Sequence, residues 1–246
     1  MFDVTSDIPP PPWRTPRKTR REPAREPLSQ DAIVDAALRV LDADGLDAVS
    51  MRRVAEELKT GAASLYAHVA NKDELLELVR ERVLAEINLP APDPARWQDQ
   101  IRELAFEIQR AHAGHKDIAR LSLGTIPTGY HALRVGETML GIMLAGGVPP
   151  KVAALAADRL SLYITADAYE GALIVAANDL ESPHARERFN ERLEQIHAYY
   201  KALPPDVFPS LTAHVDELIE ADSDERFRFG LDMLIRSLET YVRKGA

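Results

Sequence analysis

His112 and His115 stand three residues apart, a spacing at which two imidazoles on one helix face could share a metal ion. No third ligand follows at a matching interval, and Gly114 between them marks a helix about to end. Neither a phosphate-cradling glycine loop nor a nucleophile motif accompanies the pair. A metal-dependent enzyme is therefore a weak alternative, and no metal or other cofactor is expected. Charge is more informative. Between residues 14 and 25, Arg14, Arg17, Lys18, Arg20, Arg21 and Arg25 are opposed by one acid, Glu22, a local charge of +5 on a chain whose net charge is −9. Affinity for DNA comes largely from neutralised phosphates, so the overall charge argues against nucleic acid while its distribution argues for it. The pattern is that of a basic arm on an acidic body. A solvated tail with no partner has the same composition.

A second group of residues suits contact with base edges. In residues 62–69, Leu65 and Val69 can turn inward with Val54 and Leu58, which leaves Ala62, Ala63, Ser64, Tyr66, Ala67 and His68 facing outward. Small residues at the front of a helix let its backbone approach a major groove, and Ser64 or the alanine methyls can meet bases or a thymine methyl. Arg52 supplies a forked donor for a guanine edge or a phosphate. Lys72, at a helix N-terminus with its partial positive charge, is placed for a phosphate. Singly, Tyr66 and His68 are as readily packing residues and Lys72 a solvated one; it is the grouping that carries meaning.

These side chains need helices to hold them. Ser29 is a plausible N-cap for a helix with Ile33, Val34, Ala37, Leu38 and Leu41 on one face, closed at Gly45 by a left-handed stop. Ser50 caps a two-turn helix that ends near Thr60 and Gly61. Another short helix, from residue 62 to about 69, follows after a break of a few residues, the length relation of a helix-turn-helix. Asn71 and Glu74 form a capping-box pattern that opens a long helix with Leu75, Leu76, Val79 and Val83 on its buried side, and Pro90, Pro92 and Pro94 end it near Asn88. Past these prolines, residues 97–112, 130–145, 152–178, a stretch through Phe189, Leu193 and Ile196, and a last segment from about residue 225 all have helical periodicity. The expected fold is all-α, in three parts: a basic, proline-rich and unfolded arm (1–28), a DNA-binding unit (29–88) and a larger helical domain (89–246).

Residues 29–87 resemble the DNA-binding domain of the tetracycline-repressor (TetR) family. The run Ser64-Leu65-Tyr66-Ala67-His68-Val69-Ala70-Asn71-Lys72-Asp73-Glu74-Leu75-Leu76 is close to the family signature, preceded by Gly45-Leu46 and Val54-Ala55-Glu56-Glu57-Leu58. The resemblance implies that Arg52, Ala62, Ala63, Ser64, Tyr66, His68 and Lys72 lie at the DNA. Three further patches are similar to the core domain of the tetracycline repressor: Trp97-Gln98-Asp99, Leu123-Gly124-Thr125-Ile126-Pro127-Thr128 and Phe229-Gly230-Leu231. By that likeness, residues 151–178 and 225–243 form a four-helix bundle with a second subunit, and Asn88, Leu104, Ile108, Ser122, Thr125, Met139 and Glu170 fall where the drug and its magnesium are held. Ser122 stands where the repressor has a metal-binding histidine, and Leu104 and Met139 replace polar ligands. A hydroxyl is a poor substitute for imidazole on a metal and apolar walls suit an apolar or aromatic molecule, so an organic effector other than a magnesium chelate is expected. Met143, Tyr163 and Ile164 are pocket candidates on the same footing as core residues, and Asp167 and Glu170 are candidates for one polar anchor or for ordinary surface acids.

The expected activity is that of a homodimeric repressor on a palindromic double-stranded DNA operator, released by a small organic effector. A helical small-molecule binder with decayed DNA binding is the alternative. With no cysteine, no secretion signal and no stretch read as long enough to cross a bilayer, a cytoplasmic protein without a membrane partner is expected. If the arm containing Arg17, Lys18, Arg20 and Arg21 touches phosphates or the minor groove, deleting residues 1–25 lowers affinity for all DNA sequences and flattens the dependence of log K on log salt. An unchanged slope in a fluorescence-anisotropy titration would reduce the arm to a tail.

Overall fold

A computed structural model describes residues 28–178, 182–219 and 222–242. The basic arm, with Arg17, Lys18, Arg20 and Arg21, lies outside the described residues. Within them the secondary structure is helical: α1 (Gln30–Asp44), α2 (Met51–Glu57), α3 (Ala62–Leu65), α4 (Lys72–Leu84), α5 (Trp97–Ala113), α6 (Ile118–Ser122), α7 (Tyr130–Ala145), α8 (Pro150–Asn178), α9 (Pro183–Lys201), α10 (Pro209–Ala213), α11 (Val215–Ile219) and α12 (Ser223–Glu239).

The caps expected from sequence form. Ser29 Oγ accepts from the Ala32 amide and Ser50 Oγ from the Arg53 amide, each satisfying an amide that the first helical turn leaves unpaired. Asn71 Oδ1 accepts from the Glu74 amide at 2.9 Å, and the Glu74 carboxylate reaches back to the Ala70 amide. Two details differ. Regular α-helix in the third element covers just Ala62–Leu65, and residues 66–68 continue as turns held by His68 N–H to the Leu65 carbonyl, 2.9 Å, and Val69 N–H to the same oxygen, 3.0 Å. Gly45 stops α1 at φ 84° but with an extended ψ of 171°, so the stop is not left-handed helical. The reason is tertiary: Asp117 Oδ2 accepts from the Leu46 amide at 2.9 Å, and a Cβ on Gly45 would sit 3.0 Å from that oxygen. Asp117 itself adopts φ 58°, a strained value for a residue with a side chain, at the cap of α6.

Two apolar cores result. The first gathers Ile33, Val34, Ala37, Val40 and Leu41 of α1, Val54 and Ala55 of α2, Leu65, Val69, and Leu75, Val79 and Val83 of α4. The second gathers Leu84, Ile87, Trp97, Ile101, Leu104, Ile108, Met139, Ile142, Met143, Leu160, Ile164, Phe227, Leu231, Ile235 and Leu238. Phe227 meets Phe106 edge-on at 5.0 Å and stacks on Tyr163 at 5.5 Å. The cores meet at α4, whose last turn changes from one to the other. They also meet at α6, whose Ile118 is fully buried in the first core although it lies 22 residues past Arg96, well inside the larger helical part of the chain.

Helix α8, at 29 residues, corrects one reading of the sequence: by length and composition it qualifies as a membrane span. Most of it is uncovered, with Leu155, Leu162, Leu173 and Val175 exposed beside Phe229 and Met233 of α12 and Tyr241. Lys151, Asp158, Arg159, Asp167 and Glu170 interrupt it, and charged groups at such intervals are costly in lipid but compatible with a protein partner. A groove of about 470 Å³ between α8 and α12, lined by Leu155, Leu160, Leu234, Leu238 and Tyr241, belongs to the same apolar face.

Since Ile118 completes the first core from outside it, Ile118→Ala should lower unfolding free energy by about 2–5 kcal/mol, as for other buried Ile or Leu truncations. Urea denaturation checks this; a loss below about 1 kcal/mol would mean that α6 merely rests on the core.

Candidate nucleic-acid interface and effector site

Leu65 and Val69 point inward at 0% and 1% exposure, anchoring the segment between them to the first core. That anchoring turns Ala63, Ser64, Tyr66, Ala67 and His68 to solvent, with Ala62 partly covered. Tyr66 is 54% exposed, which removes the packing explanation for it. The end of this segment is tied back by Gln30, whose side-chain amide donates to the His68 carbonyl at 3.1 Å. Arg52 projects from the first turn of α2 with its side chain 86% exposed; its nearest acid, Glu56, is 3.8 Å away, a weak and screened pair. Lys72 begins α4 and is half-buried. The surface thus joins a forked cation, a short row of small side chains, an aromatic hydroxyl, an imidazole and an ammonium at a helix start, all carried on one rigid core.

The residues expected to hold an effector fall into three places. Leu104 and Ile108 of α5, Met139 and Met143 of α7 and Ile164 of α8 pack together inside the second core. Tyr163, Asp167 and Glu170 lie along α8 toward α12: the Tyr163 hydroxyl donates to the Phe227 carbonyl at 2.9 Å, Asp167 accepts from Gln109 at 3.5 Å, and Glu170 pairs with Arg226 at 3.1 Å. Burial raises the Asp167 carboxyl above the ordinary carboxylate range, despite the Gln109 hydrogen bond. Ser122 and Thr125 are at α6, and Asn88 is exposed beyond the end of α4.

The two histidines are engaged separately. His112 is buried, its Nδ1 donating to the Ile108 carbonyl at 2.8 Å, which leaves Nε2 to accept from the Ser122 hydroxyl at 3.1 Å. Burial, and secondarily the nearby Arg80 cation, lowers its pKa below the usual imidazole value, so it is neutral at pH 7. His115 Nδ1 instead faces the Asp42 carboxylate at 3.0 Å. Among the described residues no group of three or more His, Cys, Asp or Glu is placed to hold a metal ion.

Several polar residues that link the two cores went unnoticed in the sequence. Glu81 of α4 accepts from the His131 and Ala132 amides at 2.6 and 3.0 Å, capping α7; Gly129 permits this, since a Cβ there would come 2.2 Å from the Glu81 carboxyl carbon. Glu77 accepts from the Thr128 hydroxyl at 2.6 Å. Arg120 grips Asp47 with two hydrogen bonds of 3.1 and 3.0 Å, lowering the Asp47 pKa. Local pattern could not identify these partners, which are 50–73 residues apart. Arg80 did leave a signal: it interrupts the apolar i, i+4 series Leu76, Leu84. A cavity of about 240 Å³ opens beside it, lined by Asp73, Leu76, Glu77, Arg80, Leu121, Thr125 and Thr128. Thr125 is the one residue expected at the effector that lines it.

Comparison with known proteins agrees with this geometry in both halves. Residues 33–79 match the family described as bacterial regulatory proteins, tetR family, and residues 89–242 match the tetracyclin repressor-like C-terminal domain. The chain is 29% identical over 237 residues to the HTH-type transcriptional repressor DrrR1 of Streptomyces coeruleorubidus, covering 94% of this chain and 84% of that protein. It is 34% identical over 152 residues to an HTH-type transcriptional regulator of Saccharopolyspora erythraea, covering 62% of this chain and 64% of that protein. Among solved structures, the TetR family protein ActR of Streptomyces coelicolor in complex with actinorhodin superposes with a TM-score of 0.80 at 41% identity, over 89% of this chain and 99% of that one. With a helix-turn-helix and a regulatory domain both matched in their expected order, the chain belongs to the tetracycline-repressor family of DNA-binding transcriptional regulators.

Proposed function

We propose that the protein is a homodimeric repressor that holds a palindromic operator through two copies of the surface formed by Arg52, residues 62–68 and Lys72, and that a small organic effector in the larger domain releases it. The observation that carries this reading is the outward face of residues 62–68, exposed between the buried anchors Leu65 and Val69. A side chain committed to packing would have no reason to stand there. Two such faces must be about 34–36 Å apart to enter successive major grooves. The uncovered apolar faces of α8 and α12 are suited to joining two copies at that separation.

Ligand response is supported by kinship with ActR, solved both without a ligand and in complex with actinorhodin or (S)-DNPA. The effector acts by binding more tightly to a conformer in which the two reading surfaces no longer match one operator, since differential affinity alone shifts such an equilibrium. Leu104, Ile108, Met139, Met143 and Ile164 form the apolar side of its site in this reading. Ser122, Thr125, Asn88, Tyr163, Asp167 and Glu170 are the polar candidates around them, and Asn88, Thr125 and Glu170 are exposed.

Selection of bound DNA from a random pool tests the reading: an inverted repeat should be enriched. Failure to enrich one, or a monomer at micromolar concentration, would contradict it. On the selected site, Arg52→Ala should cost on the order of 1–3 kcal/mol and relax preference at one position in each half-site; unaltered affinity and preference would remove Arg52 from the interface.

A further inference from the structure

Arg80 is 5% exposed, and its Nε is buried without a hydrogen-bond partner. No ion pair of Arg80 occurs among the described residues, whereas Glu77, Glu81 and Arg120 at the same junction each have a hydrogen-bond partner. Arg80 is thus a cation largely removed from water; Asp73 and Glu77 share its cavity wall, but neither forms an ion pair with it. Natural proteins bury arginines almost always with a carboxylate or phosphate beside them. His112, near enough for the Arg80 charge to lower its pKa, is neutral at pH 7 with both ring nitrogens engaged by Ile108 and Ser122, and is no counter-ion.

We propose that the cavity beside Arg80 is the subsite for the acidic group of the effector, and hence that the effector is an organic anion, a carboxylate or an equivalent oxygen acid on an apolar body. The inference rests on the ligand-responsive reading above and names the chemical class of the ligand. The cavity supplies both halves of the recognition. Arg80 offers the forked donor that carboxylates take with two parallel hydrogen bonds. Leu76 and Leu121 supply apolar wall, and the Thr125 and Thr128 hydroxyls lie on the rim. Asp73 and Glu77 also line the cavity and would oppose an anion. Asp73 is exposed and Glu77 half-buried, so water screens both more than it screens the buried guanidinium; the Thr128 hydroxyl turns one Glu77 oxygen toward itself without removing its charge. The position also explains how occupancy would be felt at the DNA. Arg80 is on α4, two turns from the helix start that carries Lys72, and the opposite wall belongs to α6 and the loop after it. An anion seated there ties α4 to α6 and to the loop that leads into α7 of the second core.

The experiment compares 1-naphthylacetate with its neutral analogue 1-naphthylacetamide on the full chain and on Arg80→Met and Arg80→Lys, by calorimetry and thermal melting at pH 7.4. The proposal expects saturable binding of the acid to the wild type, binding of the amide at least tenfold weaker, and loss of at least tenfold in acid affinity for Arg80→Met with partial recovery in Arg80→Lys. It also expects Arg80→Met without ligand to melt no lower than the wild type, because a buried cation without an ion pair has been replaced by an apolar side chain of similar length. Equal binding of acid and amide, acid binding undiminished in Arg80→Met, a lower melting temperature for that variant without ligand, or no binding of the acid at millimolar concentration each overturns it. Operator release is followed in parallel: if the acid binds through Arg80 yet leaves the operator complex intact, the anion subsite stands and the release mechanism fails. If the amide releases the operator as well as the acid does, the anion subsite fails and ligand-responsive repression stands.

Discussion

One helix is claimed by two cores. Leu75, Val79 and Val83 of α4 are fully buried in the DNA-binding core, while Leu84 and, just beyond, Ile87 are buried in the regulatory core. At 1.5 Å per residue the 13 residues span about 20 Å of stiff backbone. A helix fixed at both ends by close-packed side chains behaves as a lever, because packed interiors shift between discrete arrangements and do not deform smoothly. Stiff backbone thereby links the Leu84 end to the Asn71 cap and Lys72, directly after the outward-facing residues 62–68.

The contacts across the junction differ in kind from those within each core. Asp42 with His115, Asp47 with Arg120, the Leu46 amide with Asp117, Glu77 with Thr128 and Glu81 with the start of α7 are polar, and many of them are partly exposed. Water and salt screen the exposed ion pairs among them, so each contributes little to stability. They set the register of one body on the other without welding them, so a bound molecule needs a few kcal/mol of differential affinity to favour another register. Ile118 is the apolar exception, and it ties α6 to the DNA-binding core more firmly than any of the ion pairs.

The same logic accounts for the surface. The chain carries a net charge of −9, yet the exposed segment 62–68 has small neutral side chains, with Arg52 at one edge and Lys72 at the other. The uncovered leucines of α8 need a partner for a related reason: apolar area of that extent is unfavourable in water, and the charges spaced along the helix suit the polar rim of a protein interface.

Sequence alone determined much of this. The caps at Ser29, Ser50 and Asn71, the inward pair Leu65 and Val69 and the boundaries of α5 and α7 follow from local chemistry and periodicity, which act over a few residues and are therefore written contiguously in the chain; the family follows from the likeness of the run Ser64 to Leu76 to a known signature. Tertiary structure decided what depends on distant partners. It set the extended ψ of Gly45 through Asp117, cut the third helix to one turn, assigned Ile118 to the core of the other domain and paired His112 with Ser122 instead of with His115. It also left the Arg80 Nε buried without a hydrogen-bond partner. The physical reason is that a hydrogen bond or a buried charge is defined by which groups meet in space, and residues 50–70 positions apart carry no local mark of that meeting.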